Sequence, residues 1–154
     1  MDVLERLLER LDKLQLSAAV DINLLGPLPI NLAAFEALPL PRQSAARAVL
    51  KSFEQIEDQL SRLFRAIPRL SGEDTRRWFA RDHADYMERF GVLDDAAQWS
   101  RVVKLRNLPV HDYPLDPHVQ FERLVEAVTF LPLLTETHKR LRDFIRADLA
   151  GKLV

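Results

Sequence analysis

The chain has 154 residues, 47% of them hydrophobic and 29% charged, a balance that fits one domain with a single core and excludes a disordered chain. Lys and Arg number 22 against 23 Asp and Glu, a net charge of −1, so bulk charge gives no attraction to nucleic acid and any such contact must come from a local basic patch. The absence of cysteine excludes disulfides, thiolate nucleophiles and cysteine-based zinc sites, and it suits a reducing compartment.

The opening stretch MDVLERLLERLDKL is too charged for a secretory signal, and no run approaches the ~18 apolar residues of a membrane span. The expectation is a soluble, cytoplasmic, single-domain protein over residues 1–154, with no membrane contact. Within it, residues 1–34 read as an N-terminal helix and hydrophobic loop, and residues 35–150 as a core bundle.

Leu4, Leu7, Leu8, Leu11 and Leu14 fall at helical spacing and predict a first amphipathic helix. In the following SAAVDINLLGPLPIN, Val20, Ile22 and Leu24 alternate with polar residues, which fits a short extended piece or a hydrophobic loop. Asn31 can cap a short helix, LAAFEAL, that the prolines at 39 and 41 stop. Val49, Phe53, Ile56, Leu60, Leu63, Phe64 and Ile67 form one stripe and predict a long helix from about 41 to 67, with Pro41 in its first turn and Pro68, Ser71 and Gly72 ending it.

A third long helix is expected from about 73 to 90, carrying Trp78, Phe79, Tyr86 and Phe90 and closed by Gly91. Asp94 or Asp95 then caps a helix through AAQWSRVVKLRN. Asp116 and Pro117 are a good N-cap and first-turn pair for the last helix, whose stripe is Phe121, Leu124, Val125, Val128 and Leu131, then Leu134, Leu141 and Ile145 beyond a kink at Pro132. The architecture implied is all-α, an up-and-down bundle of four or more helices with short connections.

Chemistry is harder to place. The chain has no phosphate-binding glycine loop, no HExxH and no paired Glu-x-x-His of a di-iron bundle. Of the four histidines, His138 lies on the apolar stripe of the last helix and reads as buried or dimer-facing. His118 sits in that helix's first turn and reads as exposed, and His83, between Asp82 and Asp85, as part of a charged helix face.

His111 has different company, in the stretch RNLPVHDY at residues 106–113. Asn107 and His111 are four residues apart and share a face, while Arg106 lies about 140° round from His111 and, if the helix continues, stacks with Tyr113, seven residues on. An imidazole that titrates near neutrality and a guanidinium matched to phosphate could support phosphodiester cleavage. The same residues could equally cap a helix, with Arg106 and His111 answering its dipole. The residues alone leave both readings open.

Their order, Arg106, four residues, His111, Asp112, Tyr113, resembles the R-x4-H-x-Y motif of the HEPN superfamily, in particular HepT-like ribonuclease toxins. GVLDDAAQW leading into KLRN, YPLDP opening a final helix, and the long helix with Phe53 followed by Asp58 are similar too, and the likeness spans roughly residues 35 to 145. Pro109 stands where that family usually carries an aliphatic residue.

The resemblance implies a helical homodimer with facing motif helices and metal-independent RNA cleavage, as the toxin of a type VII-like toxin–antitoxin system. No cofactor is implied. Arg106 would bind the scissile phosphate, His111 would assist attack by the ribose 2′-hydroxyl and Asn107 would orient them, with Asp112 and Asp58 as auxiliary residues. A nucleotidyltransferase antitoxin would silence the toxin by adding AMP to Tyr113. Two other readings stay open: a non-catalytic HEPN-fold partner of a nucleotidyltransferase, favoured by Pro109 and the sequence pI of about 6.4, and a plain helical interaction module.

Overall fold

The computed structural model describes residues 2–107 and 116–149. They form α1 (Asp2–Leu25), α2 (Leu32–Glu36), α3 (Leu40–Leu70), α4 (Ala80–Arg89), α5 (Ala96–Asn107) and α6 (Pro117–Phe144), with a π-helical turn over Ile145–Leu149. The fold is all-α, as the periodicity requires, and the buried apolar residues of all six helices form one core. No helix among the described residues is long and apolar enough to cross a membrane.

The centre is α3, which packs against α1, α4, α5 and α6. All seven residues of its expected stripe are buried, and so are Glu57, Gln59 and Ser61 off that stripe. A helix covered on nearly every side through its middle is a core helix, not a surface one. Two anchors set α1 antiparallel to it. The Arg42 guanidinium donates to the carbonyls of Leu25 and Pro27 at 2.6 and 2.7 Å, and the Ser52 hydroxyl donates to Asp21 at 3.2 Å.

On α1, α6 runs antiparallel in turn: the Thr135 hydroxyl meets Gln15 at 3.1 Å, and His138 and Arg142 meet Asp12 one to two turns further on. Phe35 of α2 packs on Phe121 near the start of α6, with ring centroids 5.5 Å apart. At the other end, Arg140 donates to Asp94 at 2.6 Å and Phe144 packs on Phe90, which ties α6 to the turn between α4 and α5.

Several expectations hold in detail. Asn31 accepts from the Ala34 N–H, Asp95 from Ala97 and Asp116 from His118, each at 2.8–2.9 Å, so all three short polar residues cap their helices. Gly91, at φ +77°, supplies the left-handed residue just past α4. His118 is exposed and lies 3.5 Å from Glu122, while His138 is buried.

Others need correction. Residues 16–25 are neither extended nor loop: α1 continues to Leu25, because Leu11, Ala18 and Leu25 recur every seventh residue and are all buried. The alternation of Val20, Ile22 and Leu24 instead leaves Val20 and Leu24 exposed. The third long helix is cut to α4, since residues 71–79 make local turns. Asp74 accepts from the Arg76 backbone and guanidinium, the Trp78 N–H donates to the Thr75 carbonyl, and the Phe79 N–H donates to Asp82. Those bonds occupy groups a helix would have used. At the end of α3, Pro68 lies within the helix, which reaches Leu70; α6 likewise runs unbroken through Pro132.

The Arg42 bridge closes the connection between α1 and α3, so Arg42→Ala is expected to lower unfolding free energy by about 1.5–3 kcal/mol, the range for hydrogen bonds to a charged group. Urea denaturation of the two proteins measures it, with a lowered midpoint and an unchanged m-value.

Candidate functional site at the α3–α4–α5 junction

The residues singled out from the sequence fall at the edge of what is described. Arg106 and Asn107 are the last two positions of α5. Their side chains, and the whole of residues 108–115 with Pro109, His111, Asp112 and Tyr113, lie outside the described residues. Asp58 is half-exposed on α3 and pairs with Arg62 one turn on, at 3.0 Å. The acidic group turned into the protein is its neighbour Glu57, fully buried, whose carboxylate accepts from the Ser61 hydroxyl at 2.7 Å.

The segment that carries Arg106 and Asn107 is firmly seated. At its start the Ala96 N–H donates to the Glu88 carboxylate at 3.0 Å and the Ala97 N–H to Asp95. Trp99 then packs on Phe64 of α3 at 4.8 Å between ring centroids, and Val102 is buried. Arg101 and Lys104 are exposed. Val103 lines a pocket of about 290 Å³ together with Ser61 and Arg65 of α3, Trp78 and His83 from α4 and its approach, and Trp99. Arg106 and Asn107 follow Val103 by three and four positions, the spacing of neighbours on one helix face.

His83 is the residue that sequence reasoning misplaced. It is not part of a solvated charged face: only 8% of it is exposed, and its Nδ1 lies 3.1 Å from the Phe64 carbonyl. The cause is Pro68. In an α-helix the Phe64 carbonyl would accept from the N–H of residue 68, and proline has none. His83 fills the vacancy from a neighbouring helix.

Because a carbonyl can only accept, Nδ1 must carry the proton, and the neutral ring keeps its lone pair at Nε2. Lost hydration pushes the imidazole below its usual range, and Arg65 adds to that; the Phe64 carbonyl and Asp82 oppose it. Trp78 meets the ring edge-on at 5.1 Å. A proline at the close of a long helix was the signal available in the sequence, since its missing N–H implies a carbonyl in need of another donor.

A second, larger concavity of about 760 Å³ lies between α1 and α6, with mainly aliphatic walls. At its rim the Asp12 carboxylate accepts from Arg142 and lies 3.2 Å from His138 Nε2, which is also 3.1 Å from the Arg142 guanidinium. Burial holds His138 below the ordinary imidazole value. A neutral Nε2 accepts from Arg142 or donates to Asp12, according to tautomer, and cannot do both. Among the described residues no group of three or more His, Asp or Glu is placed to hold a metal ion.

Comparison of the chain with protein-family models, curated proteins and solved structures gives no match. The chemistry of the α3–α4–α5 junction therefore rests on its own geometry. It joins a cationic helix to a pocket with aromatic walls, and a buried carboxylate–hydroxyl pair lies beside it.

Two outcomes test the junction. His83→Leu strands the Phe64 carbonyl and is expected to cost about 1–3 kcal/mol. In a Pro68→Ala background the new N–H takes that carbonyl, so the same substitution should cost less, a coupling that a double-mutant cycle by urea denaturation reads directly.

The second outcome concerns pH. His83 and His138 are both depressed in the folded state, so between the unfolded value of about 6.5 and the lower folded values the unfolded chain binds more protons. Their contribution is complete above pH ~6.5 and is lost as pH falls through that window. Thermal midpoints should drop from pH 7.5 to 5.5, and less steeply in His83→Gln.

Proposed function

We propose that the chain is a metal-independent endoribonuclease of the HepT-like kind, the toxin of a type VII-like pair. Arg106 holds the scissile phosphate, Asn107 orients it, and His111 takes the proton of the attacking ribose 2′-hydroxyl. As the 2′-oxygen bonds to phosphorus, the bond to the 5′-oxygen breaks, and that leaving group needs a proton of its own. One histidine supplies a base but not, in the same instant, an acid. A second copy of the chain supplies the other, which is why a homodimer with facing motifs belongs to the proposal. Tyr113 is the hydroxyl to which a nucleotidyltransferase antitoxin adds AMP, and Asp112 and Asp58 accompany the set.

The observation that carries this reading is the setting of α5. Residues 96–107 hold three basic residues and no acidic ones in a chain of net charge −1. The helix is pinned by Trp99 and Val102, lines a pocket with aromatic walls through Trp99 and Val103, and leads in sequence into the Arg–His–Tyr motif. A fixed cationic helix is what phosphate positioning needs.

A second reading, a non-catalytic partner of a nucleotidyltransferase, is favoured by Pro109, which removes the backbone N–H that would otherwise bond the Leu105 carbonyl.

Expression of the wild type, Arg106→Ala and His111→Ala separates the two. The ribonuclease arrests growth and fragments cellular RNA, and loss of the histidine lowers cleavage by about 10²–10⁴-fold. Equal growth and intact RNA in all three cultures would leave the binding partner. Intact-mass analysis after co-expression with a nucleotidyltransferase should add AMP to the wild type and not to Tyr113→Phe.

A further inference from the structure

We infer that the pocket between α3, α4 and α5 receives an unpaired nucleobase of a single RNA strand lying along α5. The site is outside the Arg–His–Tyr motif; the identity of the strand rests on the ribonuclease reading, the base pocket on the residues that follow.

The walls are aromatic and come from separate segments. Trp78 and Phe79 stand on the approach to α4, and Trp99 on α5 is backed by Phe64. Phe79 is 79% exposed, although its backbone N–H is fixed to Asp82 at the start of α4. A large ring held at a rigid position in water loses little entropy when another ring stacks on it. At about 290 Å³ the pocket sits at the bottom of the range for small-molecule sites, enough for one planar ring system and not for an extended ligand.

Polar groups give the base edges something to meet. His83 offers a lone pair at Nε2, because its Nδ1–H is committed to the Phe64 carbonyl. The Ser61 oxygen keeps acceptor capacity after donating to Glu57.

Charge singles out a phosphate-bearing ligand. Residues 62–81 contain six arginines against one glutamate and one aspartate. Arg62, Arg76 and Arg81 are paired with Asp58, Asp74 and Asp85, so they are discounted. Arg65, Arg69 and Arg77 remain, all exposed, and Arg65 lines the pocket itself. With Arg101 and Lys104 on α5 they make the local cationic surface that the near-neutral total conceals. One exposed ring, Phe79, beside the half-buried Trp78 and flanked by exposed guanidinium groups, matches the recognition elements of single-stranded nucleic acid, where bases are unstacked and able to enter.

The chain contains two tryptophans, and both line this pocket, so intrinsic fluorescence reports its occupancy. The full chain carrying His111→Ala, which prevents cleavage, is titrated with an unpaired ten-nucleotide RNA, with the same RNA as a duplex, and with AMP. The unpaired RNA should quench the tryptophans saturably and bind far more tightly than either control. Phe79→Ala, which keeps the backbone bond to Asp82 and a wild-type circular dichroism spectrum, should weaken it about tenfold, the scale of one lost base–aromatic stack. Arg77→Gln should flatten the dependence of affinity on salt.

Unchanged affinity in Phe79→Ala, or binding without quenching, overturns the inference. AMP binding as tightly as the ten-nucleotide RNA overturns the strand and leaves a mononucleotide site. If wild-type protein fails to cleave RNA while Phe79-dependent binding persists, the ribonuclease reading falls and this one stands. If wild-type protein cleaves and Phe79→Ala leaves KM unchanged, the reverse holds.

Discussion

A single missing backbone proton organises one half of this molecule. Pro68 cannot donate to the Phe64 carbonyl, and a buried carbonyl without a donor costs free energy that the fold must recover elsewhere. His83 provides the donor from α4, and in doing so it fixes how α4 lies on the end of α3. The consequences spread outward. Trp78 is brought against the imidazole edge, and Tyr86, three residues further along α4, packs against Trp78 and Phe90. Phe90 in turn meets Phe144 of α6. The pocket at the α3–α4–α5 junction is thus the space left when a helix end is completed by a side chain instead of by its own next turn.

The parts of this arrangement differ in how far the sequence could reveal them. The stripe of α3 is long and regular, so its existence and its buried face follow from spacing alone. For α6 the helix follows, but Phe121, Val125 and Val128 of the expected stripe are only half-buried, while Ala127, Thr137 and Phe144 are buried. The extent of α1 did not follow. Val20 and Leu24 are apolar yet exposed, and their alternation with polar residues mimics a strand, whereas the positions that matter, Leu11, Ala18 and Leu25, are seven apart and include a small residue. The start of α4 failed for a different reason. Residues 73–79 have helix-compatible side chains, but Asp74 and Thr75 offer the backbone competing bonds that no periodicity registers. His83 and Glu57 were missed because each is a polar residue among polar neighbours in sequence, Asp82 and Asp58, and only the packing decides which one of each pair turns inward.

Charge was legible as a total and misleading as a total. The sum of −1 hides a segregation in which the charged residues of 96–107 are all positive and those from Arg62 to Arg81 predominantly so. The opposite rim, between α1 and α6, spends its charges on itself: Asp12, His138 and Arg142 are mutually engaged around a concavity with aliphatic walls. Paired charges in such a cluster attract little from outside. Unpaired ones on α5 and the end of α3 retain their reach, within the ~8–10 Å that salt allows.

The same side is the one on which positioning is best supplied. Phosphoryl chemistry by side chains alone depends on holding groups to within a fraction of an ångström, which elements of secondary structure do better than loops. Arg106 and Asn107 have that support on their N-terminal side, through the Glu88 and Asp95 bonds to the first turn of α5 and the burial of Trp99 and Val102. Beyond eight intervening residues, Asp116 caps α6 and Phe121 packs on Phe35. On the ribonuclease reading, the backbone that carries Arg106 and Asn107 is the end of a helix anchored at its start and middle.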